Sequence, residues 1–242
     1  MLATKSRNLL FFAPFLLIAA GLFPRVALAQ LDNQKDATVG LYLAEASGRF
    51  NCSKVEPMAC DDENIRVTGE LNLNYFVFLC VFKADAGPGV SGVQCGIRYD
   101  DQARQGVDVF SWTSCADMEW PQDGWPNRSG DGNTIVWLYN TNCQRNEPGG
   151  FGDGVTAVAG YFSVTAYSPD KFEIVEGSAD EVVVVDCGKP EEDQLPANSY
   201  LDTSHWGWVG FSDDESIKGS LPCLKRVTED ATWSRVKTLY NR

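Results

Sequence analysis

All eight cysteines of this 242-residue chain, Cys52, Cys60, Cys80, Cys95, Cys115, Cys143, Cys187 and Cys223, lie downstream of an apolar leader, and that placement restricts the fold strongly. Lys5 and Arg7 precede an apolar run over residues 9–23, and Ala27-Leu28-Ala29 offers small side chains at the positions a signal peptidase reads. The run falls short of the roughly twenty residues that span a bilayer. Residues 1–29 therefore read as a signal peptide, and residue 30 is Gln, so the bacterial lipid-attachment cysteine is missing. An even number of cysteines in an exported chain predicts disulfides in an extracellular or periplasmic protein. Structural zinc is disfavoured: there is no C-x-x-C pair and His205 is the single histidine.

Cleavage removes Lys5, Arg7 and Arg25 and no acid from the 20 basic and 33 acidic residues, leaving 17 against 33. A chain so acidic repels phosphate backbones and anionic membrane surfaces, which argues against nucleic acid as a partner. No second apolar stretch predicts membrane insertion.

The mature chain reads as short extended segments separated by turn chemistry. Strands are predicted over 38–43, 74–83, 90–99, 107–113, 134–139, 155–167, 171–175 and 181–185, with turns at Asp85-Ala86-Gly87-Pro88-Gly89, Asp131-Gly132-Asn133, Pro148-Gly149-Gly150 and Ser168-Pro169-Asp170. About eight strands without crossover helices predict an all-β antiparallel two-sheet sandwich of immunoglobulin-like or jelly-roll kind over 30–188. Residues 189–242 read as a C-terminal extension. It opens on Lys189-Pro190-Glu191-Glu192-Asp193, has an extended piece around 204–211, and ends in a short amphipathic helix over 231–240 with Trp233, Val236 and Tyr240 on one face.

Residues 74–83 and 90–99 read as a hairpin. Pairing residues whose numbers sum to 175 puts Phe82 on Val93, Cys80 on Cys95, Phe78 on Ile97 and Phe76 on Tyr99, all on one face. That register predicts a Cys80–Cys95 bridge. Sequence proximity alone suggests Cys52–Cys60, Cys115–Cys143 and Cys187–Cys223.

The chemistry-bearing motifs are sparse. A Ser-His-acid or Cys-His mechanism would have to use His205, and no G-x-S-x-G, H-E-x-x-H or G-K-[ST] motif occurs. The sequence leans away from an enzyme and names no catalytic residue. The strongest candidate for ligand binding is Trp112, Asp117, Glu119, Trp120 and Trp125, where acids among indole rings could stack on sugar or, as a carboxylate pair, cleave it. The competing reading makes the tryptophans core and the acids solvated. Asp61-Asp62-Glu63-Asn64, Asp131-Gly132-Asn133 and Asp213-Asp214-Glu215 are oxygen-rich loops of the sort that hold Ca2+, but none has full EF-hand spacing, and no cofactor is expected otherwise. A binding or surface-associated structural module with a glycan or protein ligand is the leading expectation; a carbohydrate-binding or carbohydrate-active protein working near 112–125 is the alternative.

Four stretches carry a resemblance. Residues 84–93 (Ala-Asp-Ala-Gly-Pro-Gly-Val-Ser-Gly-Val), Gly124-Trp125-Pro126, residues 154–162 (Gly-Val-Thr-Ala-Val-Ala-Gly-Tyr-Phe) and the ending over 232–240 resemble exported proteins of uncultured candidate-phylum bacteria to which no function is assigned. Val39-Gly40-Leu41-Tyr42 is similar to the V-G-[LIV]-Y segment that opens those proteins. The resemblance implies a bacterial, exported protein and carries no activity. A fainter likeness, through Val90-Ser91-Gly92-Val93 running to Tyr99-Asp100, is to cohesin-type β-sandwiches at the level of fold.

Overall fold

A computed structural model describes residues 33–46, 48, 51–149, 153–177, 180–189 and 194–224. The leader and the helix expected over 231–240 lie outside the described residues.

Eleven strands are described: β1 Thr38–Glu45, β2 Asn74–Ala84, β3 Val90–Arg98, β4 Val107–Ser114, β5 Met118–Pro121, β6 Gly132–Val136, β7 Val155–Ala166, β8 Asp170–Val175, β9 Val182–Asp186, β10 Asn198–Leu201 and β11 Trp208–Phe211. They form two antiparallel sheets. The first has the order β1-β2-β7-β4; the second runs β10-β9-β3-β6-β5, with β8 on β3 and β11 on β8. The chain is an all-β sandwich, as expected, and each of the eight expected strands has a counterpart. The strands β10 and β11, from the segment read as an extension, pair with β9 and β8 in the second sheet.

Alternation explains the core. Val39, Leu41 and Leu43 on β1, Val77, Leu79 and Val81 on β2, and Phe162 and Val164 on β7 turn toward Val93, Ile97, Ile135, Phe172 and Val184 of the second sheet. The out-of-phase residues of the first sheet, Tyr42, Phe78, Cys80, Phe82, Val158 and Tyr161, build a second cluster on its outer face. Tyr42 stacks on Phe78 with ring centroids 4.8 Å apart, and Phe78 meets Tyr161 at 5.6 Å. That face is covered by Val55, Met58 and Ile65 and by Leu221 and Leu224. An aromatic strand apolar on both faces is thus buried on both.

The expected 74–99 hairpin does not form. β2 is flanked by β1 and β7, so neither edge is left for β3, and the chain crosses at residues 85–89 from one sheet to the other. Buried Gln34 holds the crossing, donating from Nε2 to the Gly89 carbonyl at 2.9 Å and accepting from the Asp85 N–H at 2.7 Å. Gly89 has φ +69, a conformation glycine adopts without a Cβ penalty.

The sulfur pairing is corrected accordingly. Cys80 points outward into the outer cluster, Cys95 points into the inner core, and both are free buried thiols. The bridges are Cys52–Cys115, Cys60–Cys223 and Cys143–Cys187, with Cα separations of 5.3, 5.9 and 6.0 Å. The expected pairs Cys52–Cys60, Cys115–Cys143 and Cys187–Cys223 are therefore also replaced. Proximity in sequence misled because each bridge joins loops that tertiary packing brings together. The first ties one covering segment to the chain just after β4, the second ties the two covering segments to each other, and the third closes the crossing, where Cys143 Sγ lies 3.7 Å from the Pro88 carbonyl oxygen.

Candidate functional site

Of the five residues singled out between 112 and 125, Trp112, Glu119 and Trp125 meet where β4 and β5, the edge strands of the two sheets, face each other. Strand β5, which sequence reading missed, decides their directions. Residues directly opposite in a ladder share a face. Glu119 pairs with Ile135, which is wholly buried, so Glu119 points between the sheets; Trp120 pairs with Thr134 and stands 58% exposed.

Glu119 is a linchpin of packing. Its Oε2 accepts from Trp112 Nε1 at 2.8 Å and from Asn133 Nδ2 at 2.8 Å, tying the first sheet to the second. An inward-pointing charge on a short edge strand also disfavours pairing with another chain. The Trp112 ring meets Phe162 at 4.4 Å and Trp125 at 5.4 Å, so both indoles are walls of the core. Gly160 makes room: a Cβ there would sit 2.5 Å from the Trp112 ring. Asp117 is remote in role, its Oδ2 accepting from the Leu138 N–H at 2.8 Å and from Asn142 Nδ2 at 2.9 Å to fix the turn after β6. The structure thus brings Trp112, Glu119 and Trp125 together, turns Trp120 to solvent, and gives Asp117 a turn to hold. Two buried polar atoms beside this cluster, Trp125 Nε1 and Asn133 Oδ1, have no hydrogen-bond partner among the described residues.

His205 is not poised as a catalytic base. Ser204 Oγ and Asp202 Oδ1 approach the same ring nitrogen, Nδ1, at 3.2 and 3.3 Å, whereas a relay places nucleophile and acid on opposite nitrogens. Asp202 Oδ1 also accepts from the Ser204 hydroxyl at 2.5 Å and from the Ser204 N–H at 2.8 Å, capping a single exposed turn, and these bonds, the hydroxyl's first, hold its carboxyl below the ordinary range.

The oxygen-rich loops are used internally as well. Asp62 Oδ1 accepts from the N–H and side chain of Asn64, Asp214 Oδ1 accepts from the N–H and hydroxyl of Ser216, and Asp131 faces Arg128 at 3.9 Å. Among the described residues, no group of three His, Cys, Asp or Glu side chains is gathered where a metal could be held.

A groove that sequence reading did not find lies on the outer face of the first sheet. It has a volume of about 650 Å³ and is lined by Phe76, Tyr161 and Ser163 together with Phe110, Ser111 and Thr113 of β4. A bulge shapes it: Val109 pairs with Val164 and Ser111 with Ser163, leaving Phe110 as the extra residue. Bulges re-aim side chains in this way. Phe110 is 58% exposed as a result. The signal in the sequence is a broken alternation, Val107 and Val109 followed by Trp112, out of phase by one.

No family model and no curated protein matches the chain. Among solved structures, it is similar to a cohesin module from a Clostridium perfringens family 33 glycoside hydrolase, with TM-score 0.40, 7% identity, and 73% of this chain and 96% of that one covered. A type II cohesin domain from the cellulosome of Acetivibrio cellulolyticus gives TM-score 0.39 at 7% identity, over 75% of this chain and 97% of that one. No family is assigned.

Proposed function

We propose that this protein is an exported, non-catalytic binding or surface-associated structural module, a sandwich stapled for life outside the cytoplasm. Three disulfides belong to an oxidising compartment. Among the described residues, no helix is long and apolar enough to cross a membrane. The observation that supports the non-catalytic reading is the position of the nominated acids: Glu119 Oε2 joins the two sheets through Trp112 and Asn133, while Asp117 Oδ2 holds the separate turn at Leu138 and Asn142, so the two serve different places and not one paired site. Glycoside cleavage by a carboxylate pair needs both acids facing one bond.

The alternative, a carbohydrate-binding or carbohydrate-active site at 112–125, draws support from one pair of atoms. Trp125 Nε1 is a buried donor and Asn133 Oδ1 a buried acceptor, each without a partner among the described residues, and polar groups of this kind can be satisfied by a hydroxyl. Incubation of the secreted protein with a polysaccharide panel separates the readings. Retention in affinity gels, or on immobilised envelope protein, without release of reducing ends supports a binding module. Release of reducing ends that disappears in Glu119→Gln overturns it in favour of the enzyme.

A further inference from the structure

We infer that the outer face of the second sheet binds a single chain of an uncharged polysaccharide, gripped at two points by Trp120 and Tyr200; this deepens the binding-module reading and rests on it. Register places the grip. Trp120 pairs with Thr134, Thr134 with Gln94, Gln94 with Val183 and Val183 with Tyr200, so the five side chains form one row across β5, β6, β3, β9 and β10. The neighbouring row contains Ile135, Val93 and Val184, which belong to the core. Alternation turns the Trp120 row to the opposite face. Trp120 and Tyr200 are both more than half exposed there.

The distribution of these groups points to a polymer. Protein interfaces gather aromatic anchors at the centre and polar groups at the rim. This row is the reverse: its rings stand on β5 and β10, the two ends of the order β10-β9-β3-β6-β5, about 19 Å apart at the usual strand spacing. Between them Thr134 Oγ1 donates to Gln94 Oε1 at 3.2 Å, which leaves the Gln94 NH2 as a donor and the Thr134 oxygen as an acceptor. A pyranose has an apolar C–H face for each ring and hydroxyls for the groups in the middle. The usual twist of about 20–25° per strand turns the two ring platforms relative to each other by roughly 80–100°. A flexible single chain follows that turn, whereas a rigid flat surface cannot lie on both rings. The net charge of −13 repels polyanions.

The row is also held in place before a ligand arrives. Glu119, next to Trp120, accepts from Trp112 and Asn133 at 2.8 Å each, and Cys143–Cys187 anchors the chain just after β9. A rigid platform loses little conformational entropy on binding.

The test is affinity electrophoresis of the full chain through gels holding hydroxyethylcellulose, galactomannan or dextran, with polygalacturonate as the anionic comparison. At least one neutral polymer is expected to retard the protein. Trp120→Ala and Tyr200→Ala, at exposed positions and with an unchanged Tm, each weaken retention about tenfold, a factor that corresponds to 1.4 kcal/mol. Trp120→Phe keeps most of the retention, and Tyr167→Ala, an exposed position just after β7 of the first sheet, keeps all of it. Three results overturn the proposal: no retardation by any neutral polymer, retardation by polygalacturonate alone, or retention insensitive to both alanine variants. The last of these leaves the binding-module reading standing and places the ligand elsewhere on the chain. Retention on immobilised envelope protein that Trp120→Ala abolishes, with no polymer retarding the chain, assigns the row to a protein partner and overturns the glycan alone. Release of reducing ends from a retarding polymer overturns the module reading itself, and the proposal with it.

Discussion

Cys80 and Cys95 are fully buried, and burial raises both thiols, Cys95 to about 12 and Cys80 well above its ordinary value. Since the thiolate is the reactive form, both are inert in the folded protein. Iodoacetamide at pH 8 is expected to label neither residue in the native state and both after denaturation without reductant; labelling of either native thiol contradicts their placement. Asp170 makes a second residue-scale case. Its Oδ2 accepts from the Asp100 and Val107 N–H groups at 2.9 and 3.1 Å, yet desolvation outweighs these bonds and raises its carboxyl above the ordinary 3.8. A raised acid binds its proton more tightly when folded, so its contribution is greatest below 3.8 and is lost as pH rises through the folded value. Stability against urea, followed from the ordinary value upward, is expected to decline less steeply in Asp170→Asn than in the wild type. Identical slopes sink the assignment.

At the scale of elements, the decisive event is the crossing between β2 and β3. Both segments were legible as strands, β2 from its aromatic and β-branched composition and β3 from its alternation of apolar and polar residues. Their pairing was not legible, since a strand apolar on both faces gives no preferred face to a register argument. Sheet membership depends instead on competitors, here β1 and β7, which occupy both edges of β2. The bridges follow from the same event. Cys60–Cys223 spans 163 residues and fastens the chain after β11 over Phe78 and Phe82. Cys60→Ser with Cys223→Ser is expected to lower unfolding stability by about 2–5 kcal/mol and to expose residues 55–65 to limited proteolysis while the strands persist. Unchanged proteolysis would show that packing alone secures this cover.

For the molecule as a whole, the imbalance of 33 acids against 20 basic residues makes self-repulsion a general cost to the folded state. The ion pairs that oppose it, such as Arg98 with Glu173 at 2.8 Å and Arg66 with Glu45 at 3.2 Å, are partly or largely exposed and contribute little individually. Raising salt from about 0.01 to 0.15 M is expected to raise the Tm by a few degrees, because the screening length falls from about 30 Å to about 8 Å. A Tm that falls with salt would mean that attractive pairs dominate. Local pattern sufficed for the two-sheet architecture, because alternation, turn residues and cysteine usage are properties of neighbours in the chain. Partnership across distance did not follow from it: which cysteines meet, which strand fills which edge, and which aromatics face water depend on competition among segments far apart in sequence. The candidate site shows both sides. Trp112, Glu119 and Trp125 were recognisable as a group by composition, whereas Glu119 became a packing acceptor and Phe110 a groove wall only when β5 paired with β6 and a bulge formed between β4 and β7.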